Sequence, residues 1–88
     1  MKNEIDIHQI LRVFDKIRQH GEQRGDGHIL QGVSASTDFD GYTIFLSDAQ
    51  CSLTVYFHNK YNYEYPSDAA LEDFNKRIRA IDKQFEAS

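Results

Sequence analysis

Tryptophan is absent from this chain, and cysteine, proline and methionine occur once each. The lone cysteine, Cys51, excludes an internal disulfide, which suits a reducing compartment, because small secreted domains usually carry several such staples. There is no paired-cysteine, HxxxH or HExxH spacing, so neither a metal site nor a cofactor is expected. No apolar run approaches the length of a membrane span. The amino-terminal stretch MKNEIDIHQ has neither an apolar core run nor a small-residue cleavage site, so it does not read as a signal peptide. An excess of basic charge is also missing. The net charge of −4 argues against wholesale attraction to nucleic acid or to an anionic membrane. A cytoplasmic protein with no membrane partner is the expectation.

What is present fits one domain over residues 1–88, with 40% hydrophobic and 27% charged residues. A chain this short has room for one core and little for a deep substrate cleft.

The organising stretch is Cys51 to Tyr65, CSLTVYFHNKYNYEY, which holds five of the chain's eleven Phe and Tyr residues. Leu53, Val55, Phe57, Tyr61, Tyr63 and Tyr65 share one parity, a two-residue period that predicts strand. The same parity runs unbroken across Asn59 and no glycine marks a turn. One long strand to Pro66 is therefore favoured, with a fourth strand over 61–65 as the alternative. Pro66 ends it, since proline cannot donate to a ladder.

Upstream, Tyr42 to Ser47 reads as a strand and His28 to Thr37 as a weaker one, interrupted by Gln31. A turn at 38–41 sets Thr37 opposite Tyr42 and Ala35 opposite Ile44. A turn centred on Ala49-Gln50 sets Leu46 opposite Leu53, Ile44 opposite Val55 and Tyr42 opposite Phe57. Both registers put apolar or small residues on one face, and a one-residue slip would destroy the match. Gly21 to Gly27 (GEQRGDG) reads as a mobile connector. It lacks the lysine and hydroxyl of a phosphate-binding loop, and it runs from helix to strand, the reverse of that motif.

Two helices flank this region. The first begins at Asp6, with Asp6 and Gln9 spaced as a capping box and Ile5 and Ile10 as a hydrophobic staple. Ile7, Ile10, Leu11, Phe14 and Ile17 make its apolar stripe, with Val13 near the edge, and Gly21 reads as a left-handed cap. The second helix has Ser67 as N-cap, Leu71, Phe74, Ile78, Ile81 and Phe85 as its stripe, and Glu72–Lys76 and Asp73–Arg77 as pairs on its outer face. The fold class is therefore α+β, in the order α-β-β-β-α. It is an antiparallel meander of three strands, or four, with both helices on one face. The other face would carry Leu30, Thr43, Phe45, Thr54 and Tyr56.

Candidate chemistry is sparse. His8 and His20 lie three turns apart on one helix, too far to share a metal, and surface histidine is the ordinary reading of all four. Cys51 as a nucleophile has no oxyanion-hole or nucleophile-elbow pattern beside it, and a half-buried structural thiol is the commoner case. Asp38 and Asp40 lack the ligand series of a calcium loop. No catalytic residue is assigned. Leu30, Phe45 and Tyr56 form the candidate contact patch of a non-enzymatic, homodimeric interaction domain. One alternative is a nucleic-acid-associated regulator that stacks bases on Tyr61 and Tyr63 beside Lys60. Acidic residues interleave with the basic ones nearby, which weighs against it. Another is a small enzyme or ligand-binding protein with a site near His58, Tyr61 or Cys51.

The stretches VFDKIRQHG (13–21), DGYTIFLSD (40–48) and VYFHNKYNYEY (55–65) resemble a family of small, uncharacterised proteins from gamma-class proteobacteria, known only as a domain of unknown function. That resemblance implies a bacterial, cytoplasmic, stand-alone domain and brings no substrate or site residue with it.

Overall fold

A computed structural model describes residues 6–39, 41–56 and 60–84. Two helices bracket a six-stranded antiparallel sheet whose spatial order is its chain order.

Helix α1 (Ile7–His20) starts where the capping residue requires. The Asp6 carboxylate accepts hydrogen bonds from the N–H groups of His8 at 3.0 Å and Gln9 at 3.3 Å. The Gln9 side chain reaches across to Asp82 instead of back to the cap. The buried stripe is Ile10, Val13, Phe14 and Ile17, so Val13 lies at its centre and not at its edge, while Leu11 turns outward. Ile5, the other half of the expected staple, lies outside the described residues. Gly21 is not a left-handed cap: its backbone is extended, with φ −82° and ψ 170°. Glycine is needed there for close approach, because a Cβ would sit 2.5 Å from the Ile17 carbonyl oxygen and 2.6 Å from that of Ile29.

The glycine-rich segment is structured, not a mobile connector. It forms β1 (Glu22–Arg24), a turn at Gly25-Asp26 and the start of β2 (Gly27–Leu30). The single strand expected over 28–37 is likewise two, β2 and β3 (Val33–Thr37), joined by Gln31-Gly32 at φ 53° and 85°. Two central residues at positive φ make a type I′ hairpin turn, whose twist matches that of the flanking strands. This turn moves Leu30. It pairs with Val33 and packs against the core, so it leaves the open face, and Ile29, opposite Ser34, takes its place there.

Strands β4 (Ile44–Ser47) and β5 (Ser52–Val55) pair as expected, Leu46 with Leu53 and Ile44 with Val55. Phe57, the expected partner of Tyr42, lies outside the described residues. Between β3 and β4 the register differs by two residues: Thr37 faces Ile44 and Ala35 faces Leu46. The connection is therefore 38–43 rather than 38–41, and the Asp38 N–H closes it by donating to the Thr43 carbonyl at 3.1 Å. The Asp38 carboxylate gathers the N–H groups of Gly41, Tyr42 and Thr43 inside that loop. Desolvation alone would raise this carboxyl, but those donors outweigh it and hold it below its usual range.

The aromatic stretch is not one long strand. The chain reverses, and β6 (Tyr61–Glu64) pairs with β5, setting Val55 opposite Tyr61 and Leu53 opposite Tyr63. The sheet thus has six strands, where three or four were expected.

Helix α2 (Asp68–Lys83) is capped by the Ser67 hydroxyl, which accepts from the Ala70 N–H at 3.2 Å. It buries Ala70, Phe74, Ile78 and Ile81, with Leu71 only half-buried and Phe85 outside the described residues. Arg77 turns to Asp48 at 3.5 Å, across the molecule rather than along the helix. Both helical stripes meet Val33, Ala35, Leu46, Leu53 and Val55 in one core.

The helices are joined by a polar clasp. Arg12 on α1 grips Asp82 on α2 through Nε at 2.8 Å and Nη2 at 3.0 Å, Gln9 adds a third bond, and Lys16 donates to the Asp82 carbonyl oxygen. The Arg12 hydrogen bonds are the main reason that the Asp82 carboxyl sits near 2, against an ordinary 3.8, with Gln9 and the charge of Lys16 assisting. Because the folded value lies below the unfolded one, the clasp contributes fully above about pH 4 and its contribution disappears as pH falls toward 2. Asp82→Asn is expected to cost about 1 kcal/mol at neutral pH once the solvent screening of half-exposed Arg12 is allowed for. Urea unfolding at pH 7 and again near pH 2 checks it, since the two proteins should converge in acid.

Candidate functional site

The surfaces that bear on function include the open face of the sheet, an apolar groove at one end of α1 and a polar cleft at the other.

The open face carries Ile29, Ser34, Ser36, Phe45, Ser47, Ser52 and Thr54, by the strand registers. Serine and threonine dominate it, which lets it lie in water. Phe45 is its large exposed aromatic, at 39%. Of the three expected contact residues, Phe45 alone sits in the middle of this face. Leu30 is on the opposite side, and Tyr56 is at the end of β5, at the lip of the groove.

That groove, about 230 Å³, is lined by Ile7 and Leu11 of α1 and by Tyr42, Ile44, Val55 and Tyr56 of the sheet. Ile44 and Val55, an inward-facing pair of β4 and β5, supply its sheet side. The rim is exposed, with Tyr42 at 62%, Tyr56 at 45% and Leu11 at 43%, and Phe39 in the adjoining loop stands fully in solvent. Three of the six large exposed apolar side chains among the described residues, Leu11, Tyr42 and Tyr56, therefore line this groove.

The cleft, about 380 Å³, has Phe14 and Ile44 as its apolar wall and Arg18, Asp26, His28 and Thr37 as its polar rim. The Arg18 guanidinium lies 5.6 Å from the centre of the Phe14 ring, a cation–π contact that steers it over the opening. His28 comes inward only because the Gln31-Gly32 turn sets it opposite Ala35.

Tyr61 and Tyr63, the expected stacking pair, face the helices and are half-buried. Their rings meet edge-on at 6.0 Å, and Tyr63 meets Phe74 edge-on at 6.3 Å. Burial, assisted by the neighbouring Tyr61 and Cys51, pushes the Tyr63 hydroxyl up to about 12. Lys60 is exposed, and His58 lies outside the described residues. Among the described residues no three His, Cys, Asp or Glu side chains come close enough to hold a metal. No helix among them is long and apolar enough to cross a membrane.

Of the groove residues, Tyr56 alone belongs to the contact patch expected from sequence, because Leu11, Ile44 and Val55 are indistinguishable by type from core residues. The cleft depends on the Gln31-Gly32 turn, which sets His28 inward, and glutamine is not among the residues that mark such a turn in a sequence.

An α+β domain with a single antiparallel meander and helices on one side is thus the class defined here. The chain belongs to the family of proteins of unknown function designated DUF3081, whose model matches residues 5–88. No curated protein and no solved structure matches it.

Cys51 is 2% exposed, and burial, with Asp48 and Asp73 adding their charge, pushes its thiol upward, so it sits in the state least suited to nucleophilic attack. A disulfide reagent such as DTNB is expected to leave Cys51 unmodified in the native protein and to modify it stoichiometrically in denaturant. Rapid native-state labelling would return Cys51 to the list of reactive groups.

Proposed function

We propose that this chain is a non-enzymatic protein-interaction domain that acts as a homodimer. The carrying observation is the concentration of exposed Leu11, Tyr42 and Tyr56 around one apolar groove. A soluble monomer rarely keeps large apolar side chains together in this way, and aromatic residues are enriched where protein surfaces meet. The open sheet face is the weaker surface, since Phe45 stands among serines and threonines there. Sedimentation equilibrium is expected to find a dimer whose dissociation is promoted by Tyr42→Glu with Tyr56→Glu and much less by Phe45→Glu. A wild type that stays monomeric at high concentration removes this function, and a dimer broken only by Phe45→Glu moves the contact to the open face.

A second reading is favoured by the cleft, where Arg18, His28 and Thr37 offer donors, beside the carboxylate of Asp26, above the wall of Phe14 and Ile44. Those groups suit a small carboxylate with a flat apolar body. Titration with benzoate, followed by the His28 ring resonances, should move them in the wild type and not in Arg18→Ala. Unmoved resonances at millimolar benzoate dispose of this reading.

A further inference from the structure

The geometry points to the outer edge of β6 as the place where two copies of this chain join, pairing antiparallel about a two-fold axis at Asn62. This rests on the homodimer reading above and names its contact. Strand β6 is the last in the sheet, so one of its sides has no strand beside it among the described residues. The Tyr56 N–H bonds the Lys60 carbonyl at 2.7 Å, so Lys60, and with it Asn62 and Glu64, direct main-chain groups toward β5. The intervening residues, Tyr61 and Tyr63, direct theirs outward along the edge.

Lys60, Asn62 and Glu64 are exposed and share one face. A charged edge strand ordinarily deters pairing. Here the charges are opposite in sign and equally spaced from Asn62. A two-fold axis at that residue sets Lys60 opposite the partner's Glu64, and Glu64 opposite the partner's Lys60. The same axis sets Tyr61 opposite the partner's Tyr63, so that their outward main-chain groups bond reciprocally. An axis at Tyr63 loses both charge pairs, since Glu64 would then face the partner's Asn62 and Lys60 the partner's Pro66. Unlike charges directly opposite each other stabilise a strand pair, and like charges destabilise it.

The other edge is a poorer candidate. Strand β1 has three residues, and its two-residue turn makes Arg24 and Gly27 a bonded pair, which leaves Gln23 alone directing main-chain groups outward. Its charges, Glu22 and Arg24, already face each other within the strand at 3.7 Å. The β6 edge is also continuous with the groove, since Tyr61 pairs with Val55 and Lys60 bonds Tyr56.

Charge reversal tests this without touching the core. Lys60→Glu and Glu64→Lys should each raise the dimer dissociation constant by roughly tenfold or more at low salt, because each replaces two attractions by two repulsions. The doubly reversed chain, K60E with E64K, should dimerise as the wild type does. An equimolar mixture of the two single variants should yield mainly heterodimer in native mass spectrometry. A wild-type dimer indifferent to both single reversals, or a double variant that fails to recover, overturns the β6 contact and leaves the homodimer standing. A monomeric wild type overturns both.

Discussion

Alternation of side chains across five consecutive hairpins is the constraint on which everything else depends. His28, Ala35, Leu46, Leu53 and Tyr63 stand in one row across neighbouring strands, all on the side of the helices. Each hairpin must return its strand with the same parity, or an inward row would be turned to water. A shift of two residues is harmless to this rule, which is why Thr37 can face Ile44 instead of Tyr42 while the face is kept. The cost is carried by the loop, whose length then depends on Asp38.

Carboxylates make those returns. Asp38 binds three N–H groups in its loop, Asp48 accepts from Gln50 and Cys51 at 2.9 and 2.8 Å, and Asp6 caps α1 in the same way. Aspartate suits this because its short side chain reaches backbone donors two to five residues on. Asp48 also meets Arg77, and Asp82 meets Arg12, so two of the acids tie α2 to other elements. Among the described residues no buried side-chain nitrogen or oxygen lacks a partner. Asp6, Asp38 and Asp48 thus organise turns and a helix start, and their placement there is weak ground for reading a catalytic pair.

What was legible in the sequence was whatever short-range chemistry dictates. Asp6 and Ser67 mark helix starts because few other residues satisfy the first N–H groups, and Leu46 with Leu53 was legible because a four-residue turn leaves one register. The Gln31-Gly32 turn was not, because glutamine seldom takes a positive φ, and missing it exchanged Ile29 and Leu30 between faces. The hairpin into β6 was hidden for another reason. Val55 and Tyr61 are both inward, so the parity reads the same whether the chain continues or reverses. Of the large exposed apolar residues, Phe45 and Tyr56 were visible by strand parity. Leu11 was not, since its exposure depends on where the centre of the α1 stripe falls, and that is set by packing against α2 and the sheet.

A sheet covered on one side must leave one face and two edges uncovered, and this chain disposes of them unequally. The open face is made tolerable to water by Ser34, Ser36, Ser47, Ser52 and Thr54. The β1 edge is too short to template another strand. Neither device operates at the opposite corner, where the groove between Leu11 and Tyr56 meets the start of β6. Apolar area, aromatic side chains and outward main-chain groups coincide there, and the charges of Lys60 and Glu64 restrict which strand can approach. A corner that attracts and discriminates at once has the two properties that a specific contact requires, and elsewhere among the described residues the two do not occur together.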